Sequence, residues 1–378
     1  MVLNVTFWQN MPSHHMAPVQ RELARFADYS VRTVFLQNIS ERRLEMGWSM
    51  PNFGLAEVTI LNGNTTIAKQ SAQASDGINF FNGFPVGALK TAFDNLPRRG
   101  LQARNALILE AGDTHDFKGN LRPLFHAIRT RELRNRVDFV LAFGSLGVNY
   151  YTRCGFGRER IFPFFYQTDN CETSIPISTS YPIRIIYCGQ LSKRKGVDLL
   201  LLALAPLSHL DWNLEIVGDG PEALNLWKLA KTLNVSQRIK WRGFVASSEI
   251  TEILRRKDIC VVPSRFDGWG MLTNEAVSAG IPVVTTSRVG SKDIVEMSGA
   301  GCVATAPTPR ALRKCLERLL LRLEGIDKAK AATTRISRQL TGKPAAVYLD
   351  ALIQHSLNRR TDRFRFLQLK CFDGQTIR

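Results

Sequence analysis

From Pro182 onward, short β-branched runs alternate at regular intervals with longer amphipathic segments. The pattern predicts strands over 183–187, 214–217, 239–241, 259–262 and 282–285, with helices over 197–207, 222–233, 249–255, 272–279 and 292–297 between them. Strands and helices alternating at this spacing read as a parallel sheet covered on both faces. The first half repeats the theme less cleanly, with strands expected near 2–7, 33–36, 58–61, 106–109 and 138–142. A stretch over 167–181 with Thr, Asn, Ser and nearby prolines has linker composition and separates the two patterns. The expected organisation is an α/β chain of two Rossmann-like domains, 1–170 and 171–345. The remainder, 346–378, continues a helix over 345–357 into a basic tail holding Arg359, Arg360, Arg363, Arg365 and Lys370.

Composition narrows this picture only in part. At 378 residues and 44% hydrophobic content the chain can bury two cores of ordinary size. A formal net charge of +17 attracts anionic partners, whether nucleotides, acidic lipids or nucleic acid, without choosing among them. The cysteines (Cys154, Cys171, Cys188, Cys260, Cys302, Cys315, Cys371) are odd in number and widely spaced, without metal spacing. They are therefore expected as thiols in a reducing cytosol. No apolar stretch approaches the roughly 18 residues of a spanning helix, and the first residues lack the features of a secretory signal. A cytoplasmic protein is expected, with any membrane contact peripheral and on the inner face.

Three segments carry candidate chemistry. Gly189-Gln190-Leu191-Ser192-Lys193-Arg194-Lys195-Gly196 closes the first strand of the second half and opens its first helix. Free backbone N–H groups and cationic side chains meet at such a junction, which suits a diphosphate, and Lys195 is the candidate contact. The same residues also make an ordinary basic turn. Next comes Asp267-Gly268-Trp269-Gly270-Met271-Leu272-Thr273-Asn274-Glu275, two carboxylates with glycines between them and a helix starting near Met271. Ionised carboxylates only accept hydrogen bonds, so they read sugar or ribose hydroxyls, and the carboxyl edge of an open α/β sheet is where ligands bind. Otherwise they are a loop Asp and a solvated Glu. Gly218-Asp219-Gly220-Pro221 reads mostly as helix-start chemistry.

Taken together, the run from Ile183 to Val303 resembles the donor-binding domain of the retaining GT-B glycosyltransferases of the large family four. Its landmarks occur in order: Gly189, Leu191, Lys195 and Gly196; Val217 to Pro221; Gly243-Phe244-Val245; Pro263-Ser264; the acidic pair; and Glu275-Ala276 followed by Gly280, Pro282 and Val283. The resemblance implies two Rossmann-like domains facing across a cleft, and a nucleoside diphosphate sugar as co-substrate. It implies that Lys195 contacts the diphosphate, Glu275 the ribose and Asp267 the transferred sugar. Gly189, Gln190 and Arg194 belong to the same donor loop. Gly268 and Trp269 belong to the donor-binding set, backbone amides of Gly270, Met271 and Leu272 approach phosphate or sugar, and Phe244 and Val245 lie near the base. Neither a metal nor another cofactor is expected. One departure concerns the diphosphate: the family usually has arginine where this chain has Gln190, so Lys193 or Arg194 would have to supply the second cation.

The first half offers less. His14 and His15 lie in the loop after the first strand, as a structural pair or as groups orienting acceptor or donor hydroxyls in catalysis. Asp113, His115 and Asp116 follow a later strand as secondary candidates. Arg21, Arg25, Arg42, Arg43, Arg129, Arg131, Arg134 and Arg136 make this half basic, consistent with solubility or with an anionic membrane presenting a lipid-linked acceptor. The expected reaction is retaining, metal-independent transfer of a hexosyl group to a hydroxyl of a glycan or lipid-linked acceptor, in bacterial surface polysaccharide synthesis. An alternative is a nucleotide-sugar epimerase of the same architecture. A nucleic-acid-binding module ranks lower, because the basic residues are scattered and no reading motif is present.

Overall fold

The computed structural model describes residues 2–61, 67, 70–71, 73–74, 76–96, 104–113, 117–169 and 179–358. The chain forms two units, Met1–Asp169 with Gln339–Arg378, and Asn170–Arg338. The second unit thus ends at Arg338 rather than 345. The basic tail, Cys171, Cys371, His115 and Asp116 lie outside the described residues.

The first unit holds β1 (Leu3–Gln9), β2 (Tyr29–Phe35), β3 (Glu57–Ile60), β4 (Ile78–Asn82), β5 (Arg104–Leu109), β6 (Phe139–Phe143) and β7 (Ile161–Phe164). They form one parallel sheet in the order β3-β2-β1-β4-β5-β6-β7. Helices α1 (Ala17–Leu23), α2 (Glu41–Glu45), α3 (Ala88–Asn95), α4 (Phe117–Arg129), α5 (Arg131–Arg136) and α6 (Gly144–Arg153) connect the strands. Phe7 stacks on Phe80 and Trp8 on Phe81 across the β1–β4 pair, and the Trp8 indole donates to Asn79 Oδ1 at 2.9 Å. Two of these strands were absent from the expected set. In β4, the buried polar Asn79 breaks the apolar pattern; it accepts from distant Trp8 and donates to the Ala74 carbonyl at 3.1 Å. In β7, Pro163 argues against a strand, yet β7 is an edge, where a missing N–H costs little.

The second unit holds β8 (Ile183–Cys188), β9 (Trp212–Val217), β10 (Ile239–Gly243), β11 (Ile259–Val262), β12 (Val283–Thr286) and β13 (Gly301–Ala304). Their order is β10-β9-β8-β11-β12-β13, again parallel, the doubly wound arrangement with its switch point between β8 and β11. Helices α7 (Val197–Leu204), α8 (Ala223–Thr232), α9 (Ser247–Arg255), α10 (Leu272–Ser278) and α11 (Lys292–Ser298) alternate with the strands. Two further helices, α12 (Pro309–Leu320) and α13 (Leu323–Ser337), and strand β13 extend it beyond the expected set. A core of Ile185, Leu200, Leu204, Trp212, Ile216 and Leu316 lies against the sheet.

At the amino end of this sheet, Asp258 is fully buried. It accepts from the Arg184 backbone N–H at 3.0 Å, from its guanidinium at 2.8 and 2.9 Å, and from Lys330 Nζ at 3.0 Å. Burial alone would favour the neutral acid, but the hydrogen bonds from Arg184 and Lys330 win and hold the carboxyl below the usual range. Cys302 and Cys315 are joined as a disulfide between β13 and α12, correcting the expectation that every cysteine is a thiol. Cys154, Cys188 and Cys260 are free and buried.

The last helix among the described residues, α14 (Gly342–Asn358), belongs to the first unit and packs on α1. Tyr29 donates to Asp350 at 2.5 Å and Arg104 to the Ser356 carbonyl at 3.1 Å, tying that helix to the sheet. Among the described residues, no helix is long and apolar enough to cross a membrane.

Candidate active site

Three loops meet at the carboxyl edge of the second sheet, beside its switch point. The chain leaves β8 through Gly189, whose N–H donates to the Val217 carbonyl at 2.9 Å. A Cβ on Gly218 would stand 2.0 Å from the Gly189 carbonyl oxygen, and one on Gly196 would stand 2.2 Å from that of Pro263. Both also have positive φ, +126° and +70°. These glycines are where the β8, β9 and β11 loops touch backbone to backbone, so the spacing read in the sequence is a packing requirement.

That packing delivers the charges. Lys193–Lys195 form one 3-10 turn ahead of α7. Lys195 makes an ion pair with Asp267, and Arg194 lies 3.6 Å from the other Asp267 oxygen. Arg194 also donates to the Phe266 carbonyl at 3.1 Å. A support that sequence reasoning missed holds the two loops together: Arg265 pairs with Asp198 at 2.7 and 2.6 Å and donates to the Lys193 carbonyl at 2.7 Å. Glu275, in the first turn of α10, is partly buried. Loss of water around it raises its pKa, and the Lys195 charge opposes that shift. Lys195 therefore interacts with both carboxylates. Gln190 is exposed, and its carbonyl accepts from Tyr187 Oη at 2.9 Å.

The segment between the carboxylates is held from behind. Gly290 N–H donates to the Asp267 carbonyl and Ser291 N–H to that of Trp269. Ser291 Oγ reaches the Gly270 carbonyl at 3.1 Å and Thr273 Oγ1 at 2.8 Å. No motif marked this strap, although the small pair Gly290-Ser291 after β12 was the available signal. A Cβ on Gly290 would lie 2.2 Å from the Gly268 carbonyl oxygen. Trp269 turns its indole into the core, where Nε1 donates to Asn274 Oδ1 at 2.8 Å, so this side chain faces packing rather than a ligand. Met271 caps α10 and Leu272 is buried. Phe244, just past β10, exposes 55% of its surface, and Val245 is half-buried.

In the first unit, His14 and His15 follow β1 into an aromatic cluster. Trp48 lies 5.4 Å from the His14 ring and 6.0 Å from that of His15, and Tyr166 stands 5.8 Å from His15. Burial, then the neighbouring His14 and Arg43 charges, push the His15 pKa down to about 4 against the pull of Asp169, so its imidazole is neutral near pH 7. Arg43 sits over the Trp48 ring at 4.4 Å. The basic residues here are not one free patch. Arg134 donates to the Cys154 carbonyl, Arg136 pairs with Asp94, and Arg21 pairs with Asp169. Asp113 is half-buried, and its carbonyl accepts from Arg122.

The two doubly wound sheets define a GT-B fold. Residues 176–334 match the model of the glycosyl transferases group 1, and this segment belongs to that family. The chain is 31% identical over 128 residues to a glycogen synthase of Mycobacterium tuberculosis, covering 33% of this chain and 31% of that one. It is 32% identical over 100 residues to the O-antigen biosynthesis glycosyltransferase WclY of Escherichia coli, covering 26% and 27%. The matched stretches are thus about a third of the length of these relatives. The crystal structure of HepE from Anabaena in complex with UDP superposes with a TM-score of 0.67 at 16% identity, over 94% of this chain and 100% of that one. At that identity the likeness speaks for the fold.

Proposed function

We propose that the chain is a glycosyltransferase that moves a hexosyl group from a nucleoside diphosphate sugar to a hydroxyl of a glycan or lipid-linked acceptor, with retention at the anomeric carbon. The observation that carries this reading is the ion pair of Lys195 with Asp267 at the sheet's switch-point edge, with the Lys195 charge also acting on the Glu275 carboxyl. Breaking the bond between the anomeric carbon and the diphosphate leaves negative charge on the departing phosphate. Lys195, with Arg194 in place of the family's missing arginine, is suited to take it up. Glu275 accepts from the ribose hydroxyls and Asp267 from those of the sugar, while the exposed Phe244 ring offers a face to the base. Gly268, Gly270, Met271 and Leu272 contribute backbone only. These cations replace a divalent metal, so a chelator leaves turnover unchanged. His14 and the neutral His15 orient sugar hydroxyls.

The acceptor belongs to surface polysaccharide assembly, as the name of the Escherichia coli relative suggests, and is presented at an anionic membrane surface. Thermal-shift and calorimetric screening against UDP, GDP, ADP and dTDP sugars tests the donor, with UDP first because the Anabaena structure holds it. The expected result is selective stabilisation by one donor and its consumption only when an acceptor is present. Change of the sugar without acceptor would instead assign an epimerase, and absence of any nucleotide binding would overturn the reading.

A further inference from the structure

The two segments that carry Lys195 and Asp267 are joined by one side chain. Arg265, in the loop after β11, sets its guanidinium on Asp198 in the first turn of α7 as a two-pronged pair at 2.7 and 2.6 Å. The same guanidinium donates to the Lys193 carbonyl at 2.7 Å, and the Arg265 backbone N–H donates to the Arg194 carbonyl at 2.8 Å. In return Arg194 donates to the Phe266 carbonyl at 3.1 Å. The two residues immediately before Lys195 are thus both gripped through their carbonyls. The turn that aims Lys195 is thereby fixed to the loop that carries its partner Asp267.

Neither stability nor charge is what this arrangement chiefly supplies. The Arg265 and Asp198 side chains are 33% and 35% exposed, and an ion pair that wet adds little to the folded state. Both Asp198 oxygens are spent on Arg265, which neutralises it, so Arg265 is not the second cation that a diphosphate needs. What remains is direction. A planar guanidinium holds a carboxylate and a carbonyl at once in fixed directions, which a lysine ammonium does not. A shift of about 1 Å in a group that must meet a reacting phosphate costs on the order of a hundredfold in rate.

We propose that Arg265 is a positioning residue for the transfer reaction: clamped by Asp198, it holds the turn 193–195 so that Lys195 and Arg194 meet the donor diphosphate. This role rests on the donor reading, because it acts through Lys195. The test is titration calorimetry of the full chain with UDP, GDP, ADP and dTDP, followed by variants with whichever diphosphate the wild type binds. Arg265→Ala should weaken binding by about tenfold in the wild type but by only about threefold or less in a Lys195→Ala background. Asp198→Asn is the sharper arm. It removes a negative charge from beside a phosphate site, so the field alone would tighten binding, whereas a lost clamp should weaken it by about fivefold. Arg265→Lys keeps the charge without the fork and should fall between, at about threefold weaker. Melting temperatures of the three should stay within about 4 °C of the wild type. Unchanged affinity in Arg265→Ala, tighter binding by Asp198→Asn, or the full tenfold loss persisting without Lys195 would overturn the proposal while the donor reading stands. So would a larger drop in melting temperature in all three, which would make the pair structural. Should Arg265→Ala alone lose its fold, Asp198→Asn and Arg265→Lys decide. A wild type that binds none of the four diphosphates, or a Lys195→Ala variant that binds them normally, would instead sink the donor reading and this role with it.

Discussion

Two carboxylates of the second unit sit at opposite ends of the same pair of strands, each beside a lysine and an arginine, and they are treated differently. At the amino end Asp258 is fully buried and takes four hydrogen bonds from Arg184 and Lys330. At the carboxyl end the Asp267 side chain keeps 13% of its surface, Lys195 keeps 22%, and Arg194 stands back at 3.6 Å. The first cluster is saturated and closed, a geometry that stabilises. The second has charge left over and a route to solvent, which a ligand can use. Ion pairs alone do not mark a site; unspent hydrogen-bonding capacity at an accessible edge does.

The largest effect expected from this contrast is at the closed end. Asp258→Ala leaves Arg184 and Lys330 without their buried partner and should lower unfolding free energy by about 3–5 kcal/mol, read by urea denaturation. Nucleotide affinity of the folded protein should hold. A loss below about 1 kcal/mol would show that the cluster is not structural. At the open end the pattern should reverse: Lys195→Ala should cost about 10²–10³ in kcat/KM and only about 1 kcal/mol or less in stability. Ordinary turnover by this variant would remove Lys195 from the mechanism.

Asp267→Asn sharpens the comparison further. A carboxylate that met only the sugar would leave free diphosphate affinity nearly intact when changed in this way. The ion pair alters that expectation, because Asp267 offsets part of the Lys195 charge that a phosphate would meet. Free UDP should bind about threefold tighter, the scale of a partly exposed pair, while kcat/KM falls by roughly tenfold or more through the lost sugar contact. Titration calorimetry with UDP and with the full donor separates the two, and weaker UDP binding would place Asp267 on the nucleotide instead.

Much of this site was legible because its chemistry lies in local runs. Gly189 to Gly196 and Asp267 to Glu275 each hold their residue types at short range, and the glycines mark backbone contacts that side chains would block. What could not be read is what pairs distant positions. The Lys195–Asp267 contact spans 72 residues, and Asn79 looked like a break in a strand until Trp8 supplied its partner. The inward turn of Trp269 is equally a tertiary fact, since nothing in the local run says where its side chain goes. The first unit was harder throughout: its candidates His14 and His15 sit in an aromatic cluster with Trp48 and Tyr166, which come from separate segments.

The smallest effect is the most discriminating, because Glu275 and Asp258 should show opposite dependences on pH. Glu275 has a raised pKa, so folding favours its protonated form. The stability tied to that proton is fully present below the ordinary carboxyl value of about 4.3 and is lost as pH rises through the higher folded value. Asp258 has a lowered pKa, so its contribution is present above about 3.9 and is lost as pH falls through the lower folded value. Glu275→Gln removes a carboxylate that is costly to ionise there, so the empty variant should be slightly more stable than wild type at pH 7 and should lose the alkaline slope. The same change removes the acceptor for the ribose and should weaken both UDP and the full donor by about tenfold, within the roughly 1–3 kcal/mol of an unpaired group. A residue that costs stability in the empty protein while adding affinity is held there for the ligand. Melting curves from pH 4 to 8 and UDP titrations of the two proteins decide it: a Gln variant that is less stable at pH 7 and binds UDP normally would make Glu275 a structural residue like Asp258.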